Sequence, residues 1–236
     1  MRLGFLGTGT IASAVVRGLA GQGHQITVSQ RSAQHAKALA AEFPEVGIGS
    51  NAQVIAASDV IFLGLLATDA PDILSQLGFR PDQAVISFIA GLPLDQVAAL
   101  VAPASAPALM LPYPGIAKGG SPILALGDTA LLEALFTPAN RLFALESQAQ
   151  LQAYLCAQAV LSPAAQMVGA SADWLQDGAR GEEFLRMLVA TSLAAQPAAD
   201  LVTALNTEGG YNQRLRLHME RAGMVVALRN GLDDLA

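Results

Sequence analysis

Apolar residues come in short dense runs between polar turns over the first part of the chain, and at helical spacing afterwards. Residues 2–6 form one such run, followed by a glycine turn and a helical pattern over 11–21. Runs at 25–29 and 46–48 predict two more strands, with helical patterns at 33–42 and 51–57. The stretch 60–65 (Val-Ile-Phe-Leu-Gly-Leu) shows no alternation, which marks a strand covered on both faces. Residues 84–89 and 108–111 repeat that texture around a helix at 94–101, and 123–126 and 142–144 close the series. Strands alternating with helices at this spacing predict a Rossmann-type, doubly wound parallel sheet, an α/β fold. Strand signals then stop. Ala, Leu and Gln recur at helical spacing, predicting helices at 146–176, 181–196 and 199–205, a break at Gly209-Gly210, and a helical stretch to the end. The chain thus reads as an α/β domain at 1–145 and an all-helical domain at 146–236.

Composition narrows the classes of function. Hydrophobic residues make up 53% and charged residues 14%, enough apolar surface to exclude disorder. The net charge of −6 gives nothing to attract a phosphate backbone, so no nucleic-acid partner is expected. Cys156 is the single cysteine, which excludes an internal disulfide and fits a reducing, cytoplasmic setting. His24, His35 and His218 lack metal-ligand spacing, so no metal site is expected. The start of the chain runs straight into glycines, too turn-rich for a signal peptide. The uncharged run 147–172 carries Gln148, Gln150, Gln152, Gln158 and Gln166, which are costly in lipid and tolerated in a protein interface. That run predicts no membrane partner, and a homodimer or higher even oligomer built from the helical domain.

The chemistry-bearing motif is Gly7-Thr8-Gly9-Thr10-Ile11-Ala12, a G-x-G-x-x-A between a strand and a helix. The first glycine makes the turn and the second admits a pyrophosphate. Small Ala12 allows close helix–strand packing, and the helix N-terminus supplies free N–H donors. At the end of the second strand stands Gln30-Arg31-Ser32, with no acid before Glu42. An acid there would bind a ribose 2′-hydroxyl; a guanidinium and a hydroxyl suit a 2′-phosphate, so NADP(H) is predicted over NAD(H).

With these residues, Asn51 and Ser87-Phe88-Ile89-Ala90-Gly91-Leu92 in view, the chain resembles the pyrroline-5-carboxylate reductase family, as a divergent and shortened member. Leu109-Met110-Leu111-Pro112-Tyr113-Pro114 and Thr207-Glu208-Gly209-Gly210-Tyr211-Asn212 extend the likeness. The resemblance implies a helical domain interlocked with a partner's, Asn51 near the adenosine ribose, and Ala90 and Gly91 beside the nicotinamide. It also implies that Leu65 and Leu66 stand where the family has Val-Lys, and Ser162 where it has a hydroxyl-rich helix start. Tyr113 replaces an asparagine, and Asn212 a threonine thought to contact the substrate nitrogen. Tyr113, Tyr211 and Asn212 are therefore the catalytic candidates, with Ser162, Gly209 and Gly210 for the substrate.

The implied function is an NADPH-dependent reductase of a cyclic imine, by resemblance pyrroline-5-carboxylate to proline. Reduction of another C=N or C=O compound, or NADP(H) binding without turnover, are the alternatives. A ketone reductase needs a proton donor or cation at its substrate. The lysines are Lys37 and Lys118, both outside the helical domain. Cys156 and Trp174 read as packing residues, and His218 as part of a solvated face. The resemblance puts Glu208 where the family has proline; unless Glu208 turns outward or pairs with an arginine such as Arg214, its negative charge beside the glycine pair disfavours a carboxylate ligand and favours a cationic amine or iminium.

Overall fold

Alternate side chains of β1 (Arg2–Leu6) and β4 (Val60–Leu63) point to opposite faces of a sheet, and both faces are covered. Leu3, Phe5, Val60 and Phe62 belong to the core beneath α1 (Thr10–Leu19) and α2 (Ala33–Glu42). Leu6, Ile61 and Leu63 belong to the core beneath α3 (Asn51–Ala57), α4 (Ala70–Leu74) and α5 (Leu94–Val101). This explains the unbroken hydrophobicity of β4, where every residue is buried.

These features come from a computed structural model that describes residues 1–235. The chain forms two units, Met1–Leu151 and Gln152–Ala236. The division falls within α7 (Gln148–Ala157), a few residues beyond the change of pattern at residue 146.

In the first unit, β2 (Gln25–Ser29), β3 (Val46–Gly49), β5 (Ala84–Ser87) and β6 (Ser105–Pro112) join β1 and β4 in the order β3-β2-β1-β4-β5-β6, all parallel. The order reverses between β1 and β4, which makes the ends of these two strands the natural ligand crevice. β7 (Pro122–Gly127) pairs antiparallel with β6, and β8 (Arg141–Leu145) pairs parallel with β7. The sheet is therefore mostly parallel, as the doubly wound pattern predicts, with β7 alone running against its neighbour β6. Residues 113–121, which hold a 3-10 turn at Pro114–Ala117, are too few for a parallel crossover of about a dozen residues. A helix does separate β7 from β8, namely α6 (Ala130–Phe136), and those two strands are parallel. Neither α4 nor α6 was read from the sequence.

Phe62 is the hub of the first core. Its ring stacks on Phe5 of the neighbouring strand at 4.7 Å and meets Phe88 at 5.4 Å and Phe136 edge-on at 6.3 Å. One side chain thus ties two central strands to the loop after β5 and to α6. On the other face, the buried Gln83 amide donates to the carbonyls of Ile55 and Ser58 at 2.7 and 2.8 Å, satisfying the end of α3.

The second unit holds α8 (Leu161–Leu175), α9 (Gly178–Ala195), α10 (Ala198–Ala204), α11 (Tyr211–Arg221) and α12 (Met224–Asp233). The predicted helix 146–176 is interrupted by a 3-10 turn at Gln158–Val160. Pro163 has no N–H to give the carbonyl four residues earlier, which accounts for the break. The predicted final helix is likewise two, separated at Gly223 with φ +89°. Among the described residues of this unit only Ala172 and Gly181 are buried. Cys156, read as a core residue, is half-buried, and its thiol donates to the Leu235 carbonyl at 3.2 Å. Trp174 is 84% exposed. No single helix among the described residues is long and apolar enough to cross a membrane, and the one bent pair that qualifies by composition, α9 with α10, turns through 114°.

Phe62→Ala should remove about 3–5 kcal/mol of stability, because three aromatic partners cannot close the cavity. A fall in the urea midpoint of the full chain, with its slope unchanged, is the expected readout.

Candidate active site

The glycine turn sits at the ends of β1 and β4. Gly7 has φ +90°, a conformation that favours glycine, and a Cβ there would overlap the Gly64 carbonyl oxygen. Gly64 donates to the Leu6 carbonyl at 2.8 Å, and a Cβ on it would lie 3.2 Å from that of Ala12. Ser29, at the end of β2, holds the turn from the other side. Its hydroxyl accepts from the Gly7 N–H at 2.8 Å, and its carbonyl accepts from the buried Thr8 hydroxyl at 3.2 Å. His35 Nδ1 donates to the Thr8 carbonyl at 2.8 Å, so three segments fix the loop.

Gly9 behaves differently. It has φ −72°, and a Cβ would meet nothing within 4 Å. It directly precedes the first turn of α1, a helix of ten residues with no acid in that turn. Unpaired N–H groups and the positive end of the helix dipole therefore open onto free space, which fits a pyrophosphate.

Two clefts line the strand ends. One, of about 320 Å³, is bounded by Gly9, Thr10, Ile11, Ala12, Gly64, Leu65, Phe88, Leu111 and Pro112. None of these side chains is charged, and Thr10 carries the one hydroxyl. The other, of about 680 Å³, is formed around Gln30, Arg31, Asn51, Asp69, Asp72 and Ile73, with Ser50 and Ala52. The structure thus brings Gln30, Arg31 and Asn51 to one cleft and Gly9, Thr10, Ile11 and Leu65 to the other. Gly7 and Thr8 form the support behind them. Ser32 is half-buried as the residue before α2, Leu66 is exposed, and Gly91 packs close to Ala67 next to exposed Ala90.

Arg31 is already engaged in an ion pair, a partner the sequence does not reveal. Its guanidinium donates to Asp69 Oδ2 at 2.6 Å. The Thr68 hydroxyl donates to the other carboxylate oxygen at 3.0 Å. The Arg31 guanidinium, helped by the Thr68 hydroxyl, holds the Asp69 carboxyl below the usual carboxylate range. Asp69, Asp72 and Ile73 were missed because α4 was missed. The signal was present in Asp69-Ala70-Pro71, an acid followed by proline at a helix start.

Tyr113 follows β6 and is half-buried, and burial pushes its hydroxyl above the ordinary value, so it is a neutral phenol at neutral pH. In the second unit, Ser162 is exposed near the start of α8, and Gly209, Gly210, Tyr211 and Asn212 lie at the head of α11. Among the described residues no hydrogen bond joins Ser162 to the α11 group. Tyr211 is 89% exposed. Gly209 has φ +71° and donates to Gln213 Oε1 at 2.9 Å. Glu208 forms no ion pair with Arg214 among the described residues; the ion pair in this helix is Arg216 with Glu220, and Arg216 also donates to Asn206.

The two motif glycines should separate in experiment. Gly9→Val leaves folding within about 1 kcal/mol and weakens dinucleotide binding by about tenfold or more, because the side chain fills the approach to α1. Gly7→Ala instead lowers stability by about 2 kcal/mol or more through strain and backbone overlap. Thermal denaturation and dinucleotide titration of both variants check this.

Comparison with known proteins agrees with this geometry. Residues 2–91 match the family described as NADP oxidoreductase, coenzyme F420-dependent. The pyrroline-5-carboxylate reductase of Pseudomonas aeruginosa is 31% identical over 97 residues. That match spans 39% of this chain and 36% of the relative's length. The structure of 1-pyrroline-5-carboxylate reductase from Streptococcus pyogenes superposes with a TM-score of 0.80 at 21% identity, covering 100% of this chain and 96% of that one. The Plasmodium falciparum pyrroline carboxylate reductase, solved with NADP bound, gives 0.81 at 14% identity over 100% and 95% of the two chains. The chain thus shares its fold over its full length with solved pyrroline-5-carboxylate reductases, and its glycine-turn half matches an NADP oxidoreductase family model.

Proposed function

We propose that the chain is an NADP(H)-dependent reductase of a C=N bond. The observation that carries this reading is the pair of clefts on either side of the α1 N-terminus, one polar with an arginine and one uncharged. The N–H groups that follow Gly9 would hold the pyrophosphate, and Arg31 with Gln30 and Asn51 the adenosine end. A reduced nicotinamide held there would supply a hydride to the substrate carbon. Leu65, Phe88, Leu111 and Pro112 exclude water beside it, which strengthens the few polar interactions left. An iminium nitrogen is already electrophilic, so orientation suffices. A ketone would need a cation or strong acid, and none lines this cleft. The neutral Tyr113 phenol, Tyr211 and Asn212 remain the candidates for contact with the substrate nitrogen, and Ser162, Gly209 and Gly210 for its anchoring.

The substrate is narrowed by Glu208. It directly precedes the Gly209-Gly210 turn, is exposed and has no ion-pair partner among the described residues, so no neighbouring cation neutralises its charge. An imine without a carboxylate is favoured over pyrroline-5-carboxylate. NADPH oxidation with both kinds of imine should give the higher kcat/KM for the former. A high value for pyrroline-5-carboxylate would point to the substrate named for the reductases it resembles, and no NADPH binding would sink the reading.

The partner of the second unit is a second copy of the chain. Phe184, Met187, Leu188, Leu193, Leu215 and Val226 are all exposed in the single chain. An apolar surface this extensive is covered in a stable protein. Sedimentation at micromolar concentration should show a dimer or a multiple of one, and a stable monomer would contradict it.

A further inference from the structure

The Arg31–Asp69 pair joins two walls of the larger cleft. Arg31 follows β2 and Asp69 follows β4, strands that flank β1 in the sheet, and both side chains line the space. Arg31 is the cation among the lining residues, and Asp69 and Asp72 are its acids. We propose that Asp69 is a positioning residue for cofactor choice: it competes with a 2′-phosphate for the Arg31 guanidinium and so narrows the preference for NADP(H) over NAD(H). This rests on the dinucleotide reading given above.

The argument is one of charge and geometry. A 2′-phosphate is a strong acceptor that wants a guanidinium, often by two bonds. Here one Arg31 nitrogen already donates to a carboxylate at 2.6 Å. The phosphate has to displace Asp69, and the displaced carboxylate then stands as a like charge beside it, with Asp72 on the same wall. A 2′-hydroxyl makes no such demand. It is neutral, and it can donate to a carboxylate while the ion pair stays closed. Asp69 is charged at neutral pH, since Arg31 and Thr68 stabilise its ionised form, so the competition acts under working conditions. The pair is partly exposed, with 55% of the Arg31 side chain and 32% of the Asp69 side chain accessible, so the competition shifts affinity without abolishing binding.

The test is fluorescence titration of the unmodified protein, Asp69→Asn, Arg31→Ala and the double variant with NADPH and with NADH. Asp69→Asn should tighten NADPH about three- to tenfold and leave NADH within about twofold, as expected for releasing one exposed charge pair. In the Arg31→Ala background most of that gain should vanish, because Asp69 acts through Arg31. Asp69→Ala serves as a second variant and should shift the NADPH-to-NADH affinity ratio in the same direction. An unchanged ratio in both Asp69 variants, or an equal shift for both nucleotides, would overturn the proposal and leave the dinucleotide reading intact. Absence of binding of either nucleotide to the unmodified protein would overturn both.

Discussion

Gly64 donates to the Leu6 carbonyl at 2.8 Å, one residue before the chain turns at Gly7; a side chain on Gly7 would overlap backbone, and one on Gly64 would be tightly crowded. That close approach of β1 and β4 at their ends governs the ligand end of the sheet. It lets Ala12 press against the strands, which sets where α1 begins and hence where its free N–H groups point. Ser29 and His35 then hold the loop from β2 and α2, so the turn is fixed before any ligand arrives. Preorganisation of this kind lowers the ordering cost of binding.

The electrostatics follow from the same placement. An arginine on one side of the crevice and two acids on the other give a cleft that is polar but not strongly positive. The neighbouring cleft is uncharged. A dinucleotide needs both environments in sequence: donors for its phosphates and an apolar wall beside its reactive ring.

What the sequence showed and what it hid divide by range. The glycine turn was legible because its chemistry is local: strand, two glycines and helix are contiguous. β4 was legible because burial on both faces removes alternation. Asp69 was not, since α4 is five residues long and its cue is confined to Asp69 and Pro71 at its start. The ion pair of Arg31 was hidden because its partner lies thirty-eight positions away, across β1. The direction of β7 was hidden for a related reason. Hydrophobic runs mark a strand but not its polarity, which here is fixed by the length of residues 113–121. In the helical unit, spacing predicted helices correctly in kind, but Pro163 and Gly223 cut them where periodicity alone runs on.

Turning the sheet at β7 also decides what its outer margin looks like. β8 is the last strand, so one row of its backbone groups has no neighbour within the sheet. Such a margin invites a strand from another molecule and, with it, aggregation. Phe143 is partly exposed there, and the Arg141 guanidinium sits 5.4 Å from the centre of its ring. A cation held over the exposed aromatic keeps this margin solvated and makes it a poor template for an incoming strand. The same side chain that covers the ring thereby protects the protein from its own open edge.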